Sequence, residues 1–356
     1  MAARLPGIEH QPQAETVLRA ALRGRPAHAY LFHGPRGSGK RAAARAFAAA
    51  LVSASAADPD GAFARVVRGS HPDVTWVMPS GAAGMLVEDI DLAVVQGAAL
   101  SPLESDRRVF VLDGADLLNE AAANKLLKTV EEPPPGVHLI LICDQEQRVL
   151  PTLRSRCQPV RFQPLGEQRL VEALVAQGAE PGQAATAARL AEGDREFAEW
   201  LLSGRGVEAL AAVEDLLHCA QAGRVEEGVW QKLLEQARGG GVQAAEAVLT
   251  RYAERLETAA PKERSAVERE RDELAHRAER RGRLEGLDRA LRVFEGRLRE
   301  RWLEAVAGGQ VGPGGPAWEE ALVATAELRL RLAQNVNEQL ALEGFFNRLC
   351  RLLARR

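Results

Sequence analysis

Through residue 163 the chain alternates short apolar runs with stretches of helical period. Ala29–His33 (AYLFH) is apolar and runs into glycines, which predicts a strand. Val74–Met78, Val-rich Arg108–Leu112 with Asp113 at its end, and Val137–Ile142 predict three more. Residues 13–23, Ala-rich Lys40–Val52, Ile90–Leu100 and Asn119–Glu131 read as helices. In the last of these Leu118, Ala122, Leu126 and Val130 step by four along one side. Asn119 can cap it through its side chain, and Pro133–Pro135 stops it. Strand and helix in alternation predict an α/β fold with a parallel sheet and helices on its faces.

After Phe162 the strand signal ends. Residues 164–205 predict short helices broken at Gly178–Gly182, Gly193 and Gly204; from 206 onward the pattern is almost wholly helical. Gly239–Gly241 reads as a break and Gly308–Pro316 as a flexible loop. Residues 262–304 interleave Glu and Arg, which predicts a solvated helix or helical hairpin with ion pairs four apart rather than a nucleic-acid arm. Residues 318–353 predict one last helix, with Leu328, Leu332, Leu340, Leu342, Phe345, Phe346 and Leu349 packing in a core or a subunit interface. No internal repeat is present.

Composition narrows this further. A chain of 356 residues suggests two or three domains, and 46% hydrophobic content supports real cores. Aromatics are only 4%, so those cores are mostly Ala, Leu and Val, which favours helices. A net charge of −3 excludes a generally basic nucleic-acid coat and leaves room for a local basic patch. The four cysteines, Cys143, Cys157, Cys219 and Cys350, are too scattered for a zinc site, and such scatter fits reduced thiols in the cytosol. Arg4, Glu9 and His10 precede any apolar core, so no signal peptide is read, and no run reaches the ~18–20 apolar residues that span a bilayer. These features predict a cytoplasmic chain without a membrane partner.

Residues 34–41 read GPRGSGKR, against the phosphate-loop pattern G-x-x-x-x-G-K-[ST]. Gly34, Gly39 and Lys40 fit, with Gly37 between them, and the strand before and helix after fit too. Such glycines let backbone N–H groups turn inward on phosphate oxygens, and Lys40 would reach the β/γ-phosphates. The last position should carry a hydroxyl for Mg²⁺. Here it is Arg41, which has no lone pair for a metal. The second element, VFVLDGAD (109–116), offers Asp113, but a glycine, Gly114, follows it where a water-positioning carboxylate would stand. Two readings stay open at the loop: a phosphate or nucleotide cradle without turnover, or a glycine-rich turn with no ligand.

The stretch NEAAANKLLKTVEEPPPGVHLILICDQEQRVLPTLRSRC (119–157), with HAYLFHGPRGSGK upstream, resembles the AAA+ subunits of the bacterial DNA polymerase III clamp loader. The likeness is strong over roughly residues 7–163 and extends to the remainder only in layout. It implies a RecA-like AAA+ domain over 1–163, a small helical lid over 164–206 and an all-helical collar over 207–356. Within the family the chain looks most like the delta-prime type. The alternative is an active gamma/tau-type ATPase, which Arg41 and Gly114 speak against. In the family the Arg of Ser155-Arg156-Cys157 enters a neighbour's ATP site, so the resemblance implies that Arg156 is an arginine finger acting in trans, with Arg154 second. Ser155 has no evident base partner, and Cys157 reads as a small buried apolar residue. His71-Pro72-Asp73 matches a family segment, but residues 53–70 hold no Cys, so no metal site carries over. Cys143 falls near the sensor-1 position. Residues 191–197 resemble the sensor-2 region, with Arg195 left unassigned. The implied partners are gamma/tau and delta subunits, the sliding clamp, and primed DNA through the assembled hetero-oligomer. No cofactor is required; ATP, ADP or phosphate bound without turnover is one outcome. An unrelated phosphate-loop kinase has no use for LPTLRSRC or the helical C-terminal part. A regulatory protein using the loop only as structure is compatible with the delta-prime reading.

Overall fold

Apolar residues on both faces of a strand demand helices on both sides, and the chain supplies them. A computed structural model describes residues 5, 8, 10–79, 85, 87–224, 228–258, 261–307, 315–332 and 336–354. Five strands, β1 (Ala29–His33), β2 (Val74–Val77), β3 (Arg108–Asp113), β4 (Val137–Cys143) and β5 (Gln158–Arg161), form one sheet in the order β2-β3-β4-β1-β5. Every pairing is parallel. Alternation along the strands sorts the core in two. Tyr30, Phe32, Val109, Val111, Ile140 and Ile142 face α1 (Pro12–Arg23) and α2 (Lys40–Ser53). Leu31, Phe110, Leu112, Leu139 and Leu141 face α4 (Val87–Ile90), the wide turn Asp91–Gln96 and α5 (Glu120–Glu131). Asn119 caps α5 as expected, its Oδ1 accepting the Ala122 N–H at 2.8 Å. The α/β parallel sheet is thus the fold class read from the pattern. Among the elements that escaped that reading are α3 (Pro59–Arg68), which Asp58 caps, and edge strand β5.

The chain divides into two compact units, residues 1–196 and 197–356. The first continues past α6 (Pro151–Arg154) and β5 through α7 (Glu167–Ala176) and α8 (Pro181–Ala191). α9 (Arg195–Leu201) follows. The second unit holds α10 (Gly204–Gln221), α11 (Val229–Thr258), α12 (Pro261–Ala307), α13 (Gly315–Leu332) and α14 (Glu338–Leu353). Among the described residues no helix is long and apolar enough to cross a membrane.

Two helical expectations are corrected. Gly239–Gly241 is no break: α11 runs through it. The reason is tertiary. α11 and α12 pack antiparallel, and a Cβ on Gly241 would stand 2.5 Å from the Glu279 carbonyl oxygen. Glycine is there to let two helix backbones touch. Residues 318–353 are two helices, α13 and α14, because the Asn337 side chain accepts the Leu340 N–H at 3.1 Å and starts a new helix. Leu340 is accordingly exposed, while Leu328, Leu332, Leu342, Phe346 and Leu349 are buried. The charged 262–304 stretch lies in one helix of 47 residues, about 70 Å long. Of the loop read over 308–316, residues 308–314 lie outside the described residues, and Gly315 opens α13.

Candidate functional site

The phosphate-loop residues come together at the C-terminal ends of β1, β3 and β4. Gly34, Gly37 and Gly39 have φ of 146°, 71° and 89°, a backbone that side chains rarely adopt. A Cβ on Gly34 would enter the Phe162 carbonyl, and one on Gly37 the Asp194 carboxylate. Gln11, missed by sequence reasoning, braces this curl: its amide donates to the carbonyls of Ser38 (3.0 Å) and Gln163 (2.7 Å).

Lys40 and Arg41 each meet a carboxylate of this same chain. Lys40 is 4% exposed; its Nζ lies 2.7 Å from the Gly34 carbonyl, 2.6 Å from that of Pro35 and 2.8 Å from Asp144 Oδ1. Arg41 Nε lies 2.7 Å from Oδ2 of buried Asp113, and its Nη1 is 3.6 Å from Glu196 Oε2. The cavity these groups enclose is about 20 Å³, room for one water and not for a phosphate. Nucleotide entry would therefore require these ion pairs to open. The family fold implies Mg²⁺ at Asp113. The residues do not fit it: a permanently charged guanidinium already contacts the carboxylate that would hold the ion. Gly114 reinforces this. Its φ of 104° and a would-be Cβ 3.2 Å from Pro79 mean that the backbone itself disfavours a Glu at the water-positioning place.

Asp144 is a site residue that the sequence reading overlooked. Asp116 sets its turn by accepting the N–H groups of Asp144 (3.3 Å) and Gln145 (3.1 Å), and burial pushes the Asp116 carboxyl above its usual range. Cys143, at the end of β4, is a buried thiol pushed up to about 12 by burial first and the nearby Asp116 carboxylate next. It stays neutral and offers a weak hydrogen bond at best. Residues 194–196 do reach the loop: Arg195 donates its backbone N–H to the Gly37 carbonyl at 3.1 Å. The acid of Glu196, rather than a second cation, approaches Arg41. No sequence signal marked Asp144 or Glu196, because both matter through partners 104 and 155 residues away.

Arg156 stands elsewhere. It precedes β5 by two residues, and Gln158 pairs with Tyr30, near the start of β1, while the loop follows the far end of β1. In a parallel sheet at ~3.3 Å per residue, that places Arg156 at the opposite end of the strands from its own loop. The side chain is 41% exposed; Nη2 lies 2.8 Å from Glu131 Oε1 at the end of α5, and Nη1 donates to the Thr152 carbonyl at 2.9 Å. Arg154 and Ser155 are exposed too, and Cys157 is buried, its thiol pushed up to about 12 by burial. His71-Pro72-Asp73 is a structural staple. The Asp73 carboxylate, fully buried, accepts the N–H groups of Leu103 (2.6 Å), Glu104 (2.9 Å) and Ser105 (3.0 Å).

Parallel sheet, curled glycine loop and buried lysine define a protein of the phosphate-loop α/β class. Residues 10–166 match the family described as DNA polymerase III, delta subunit. The chain is 31% identical over 211 residues to the DNA polymerase III subunit delta′ of Bacillus subtilis, covering 58% of this chain and 63% of that one. It is 35% identical over 224 residues to the delta′ subunit of Pseudomonas aeruginosa, covering 60% and 63%. A gamma/tau subunit of Mycobacterium bovis is 35% identical over 186 residues, 49% of this chain and 30% of that one. A solved gamma subunit-related protein of Thermotoga maritima aligns over 94% of this chain and 97% of its own, at 18% identity and a TM-score of 0.44. Over residues 10–166, then, this chain is similar to the DNA polymerase III delta-subunit family, and its two relatives of the delta′ type match 58% and 60% of it. It spans 63% of the length of its two delta′ relatives.

Proposed function

We propose that this chain is a non-hydrolysing delta′-type subunit of a bacterial DNA polymerase III clamp loader that lends Arg156 to the ATP site of an adjoining gamma/tau-type subunit. One observation carries the reading: the Arg41–Asp113 ion pair stands where an ATPase of this class keeps its metal. Its own loop then serves as structure, or holds phosphate, ADP or ATP without turnover. Arg156 is exposed at the opposite end of the strands from its own loop, so it serves a neighbour rather than itself. Glu131 and the Thr152 carbonyl hold the guanidinium half-exposed, and a triphosphate oxygen can outcompete a solvated carboxylate for it. A fixed, permanent cation placed on a transferring phosphoryl group is worth about 10³–10⁵ in rate. The assembly, with gamma/tau and delta subunits in the cytoplasm, would open a sliding clamp and close it on primed DNA. Contacts to that DNA would be to backbone phosphates and independent of sequence.

The test is ATP turnover by the purified chain alone, and then mixed with gamma/tau-type and delta subunits, clamp and primed DNA. The expected result is no turnover alone, stimulated turnover in the mixture, and a fall of about 10³-fold or more with Arg156→Ala. Turnover by the isolated chain would instead favour an active gamma/tau-type ATPase, the reading to which the gamma/tau relative lends its 35% identity. An unchanged rate with Arg156→Ala removes the finger.

A further inference from the structure

The helical unit holds a second cavity, of about 120 Å³, which Arg205 of α10, Gln236 of α11, and Gly282, Glu285 and Arg289 of α12 help to line, with Trp200 at its side. That approaches the ~150 Å³ cavities that hold a benzene ring, and so it accommodates a tetrahedral oxyanion. Its wall is shaped by the close helix crossing: a Cβ on Gly282 would stand 2.8 Å from the Gly240 carbonyl oxygen. The Trp200 ring is held in place, stacked on Phe197 at 5.6 Å and overlain by the Arg289 guanidinium at 5.6 Å.

The charges distinguish this cavity. Three other arginines of the unit are matched to acids: Arg283 to Glu338 at 2.9 Å, Arg297 to Glu214 at 2.9 Å, and Arg329 to Asp288 at 2.8 Å. Arg205 and Arg289 have no carboxylate partner among the described residues. Two guanidiniums lining one small cavity repel each other unless an anion lies between them. Gln236 adds an amide donor. The single acid of the lining, Glu285, has its nearest cation, Arg281, 3.9 Å away. It excludes a bare anion but suits one that carries a proton to donate.

We propose that this cavity binds a phosphate group that keeps a P–OH, as free phosphate or as a monoester. Arg205, Arg289 and Gln236 donate to its unprotonated oxygens, and Glu285 accepts the P–OH hydrogen. Inorganic phosphate keeps a P–OH at neutral pH, and a monoester keeps one up to its second ionisation at pH ~6. Sulfate and phosphodiesters carry none near neutral pH, so the site discriminates against both.

The experiment is calorimetric titration of the full chain with inorganic phosphate, glycerol 3-phosphate and sulfate at equal ionic strength and at about pH 6, where both phosphate compounds carry a P–OH. Saturable binding of phosphate, of the monoester or of both is expected, and which of them binds more tightly identifies the source. Sulfate should bind at least about tenfold more weakly, and Arg205→Ala should weaken phosphate by about tenfold, as for loss of one charge-assisted hydrogen bond. Lys40→Ala, which disables the phosphate loop in the other unit, should leave the binding in place. Glu285→Gln should bring sulfate and phosphate together. If Arg205→Ala does not fold, Gln236→Leu replaces it, with a weakening expected. Equal binding of sulfate and phosphate, no saturable heat with either phosphate compound, or loss of binding in Lys40→Ala but in neither cavity variant overturns the proposal.

Discussion

Gly239 and Gly282 make a matched pair for testing why three consecutive glycines sit inside a helix. Both lie in helix interiors, where Ala is favoured over Gly by about 1 kcal/mol. A Cβ on Gly239 meets nothing within 4 Å, so Gly239→Ala should realise that full gain. A Cβ on Gly282 meets the Gly240 carbonyl oxygen at 2.8 Å, the Ala244 Cβ at 2.9 Å and the Gly241 Cα at 3.1 Å. Two of these three are backbone atoms that cannot rotate away. Overpacking of this kind costs ~1–3 kcal/mol, and a rigid neighbour puts it toward the upper end. Gly282→Ala should therefore lose about 1–2 kcal/mol net, leaving the two variants about 2–3 kcal/mol apart. For a unit of this size that is ~5–10 °C in melting temperature. Calorimetric melts of the full chain, following the transition of the helical unit, read the difference. Gly282→Ala melting as high as Gly239→Ala would refute the backbone-to-backbone crossing, and a destabilised Gly239→Ala would return residues 239–241 to a loop.

Three further outcomes are expected. Asp73→Ala leaves three backbone donors of residues 103–105 without their carboxylate and should cost about 3 kcal/mol in urea unfolding; a loss within the noise would show that the staple does not hold the loop. His33, His71 and His138 each have a pKa lowered, by burial first, so below the unfolded value of ~6.5 the unfolded chain binds more protons than the folded one. Stability should be full above that value and fall as pH drops from 7.5 toward 5.5; urea midpoints that hold constant or rise would contradict it. With thiols pushed up to about 12, Cys143 and Cys157 hold only ~10⁻⁴ thiolate at pH 8. In the folded chain iodoacetamide should modify half-exposed Cys219 first, as mass spectrometry of timed samples would report.

What the order of residues determined by itself was local. Strands β1, β3 and β4 were visible because each is a continuous apolar run. The α5 cap was visible because a cap is a contact over three residues, and the glycine loop because its backbone curl needs those residues side by side. The missing hydroxyl at Arg41 and missing acid at Gly114 were equally plain. Tertiary structure decided the rest. Three glycines in a row disfavour a helix by about 1 kcal/mol each, yet α11 continues through them, and the α12 backbone lies where side chains on Gly240 and Gly241 would be. Lys40 and Arg41 could be read as phosphate ligands until Asp144 and Asp113 were found beside them, and the residue that the local sequence singled out, Arg156, acquired its distance from its own loop only when the strand register put it at the opposite end of the strands. A propensity or a cap is settled within a few residues of chain. Which charge neutralises which, and where two backbones may touch, depends on segments brought together only after the chain has folded.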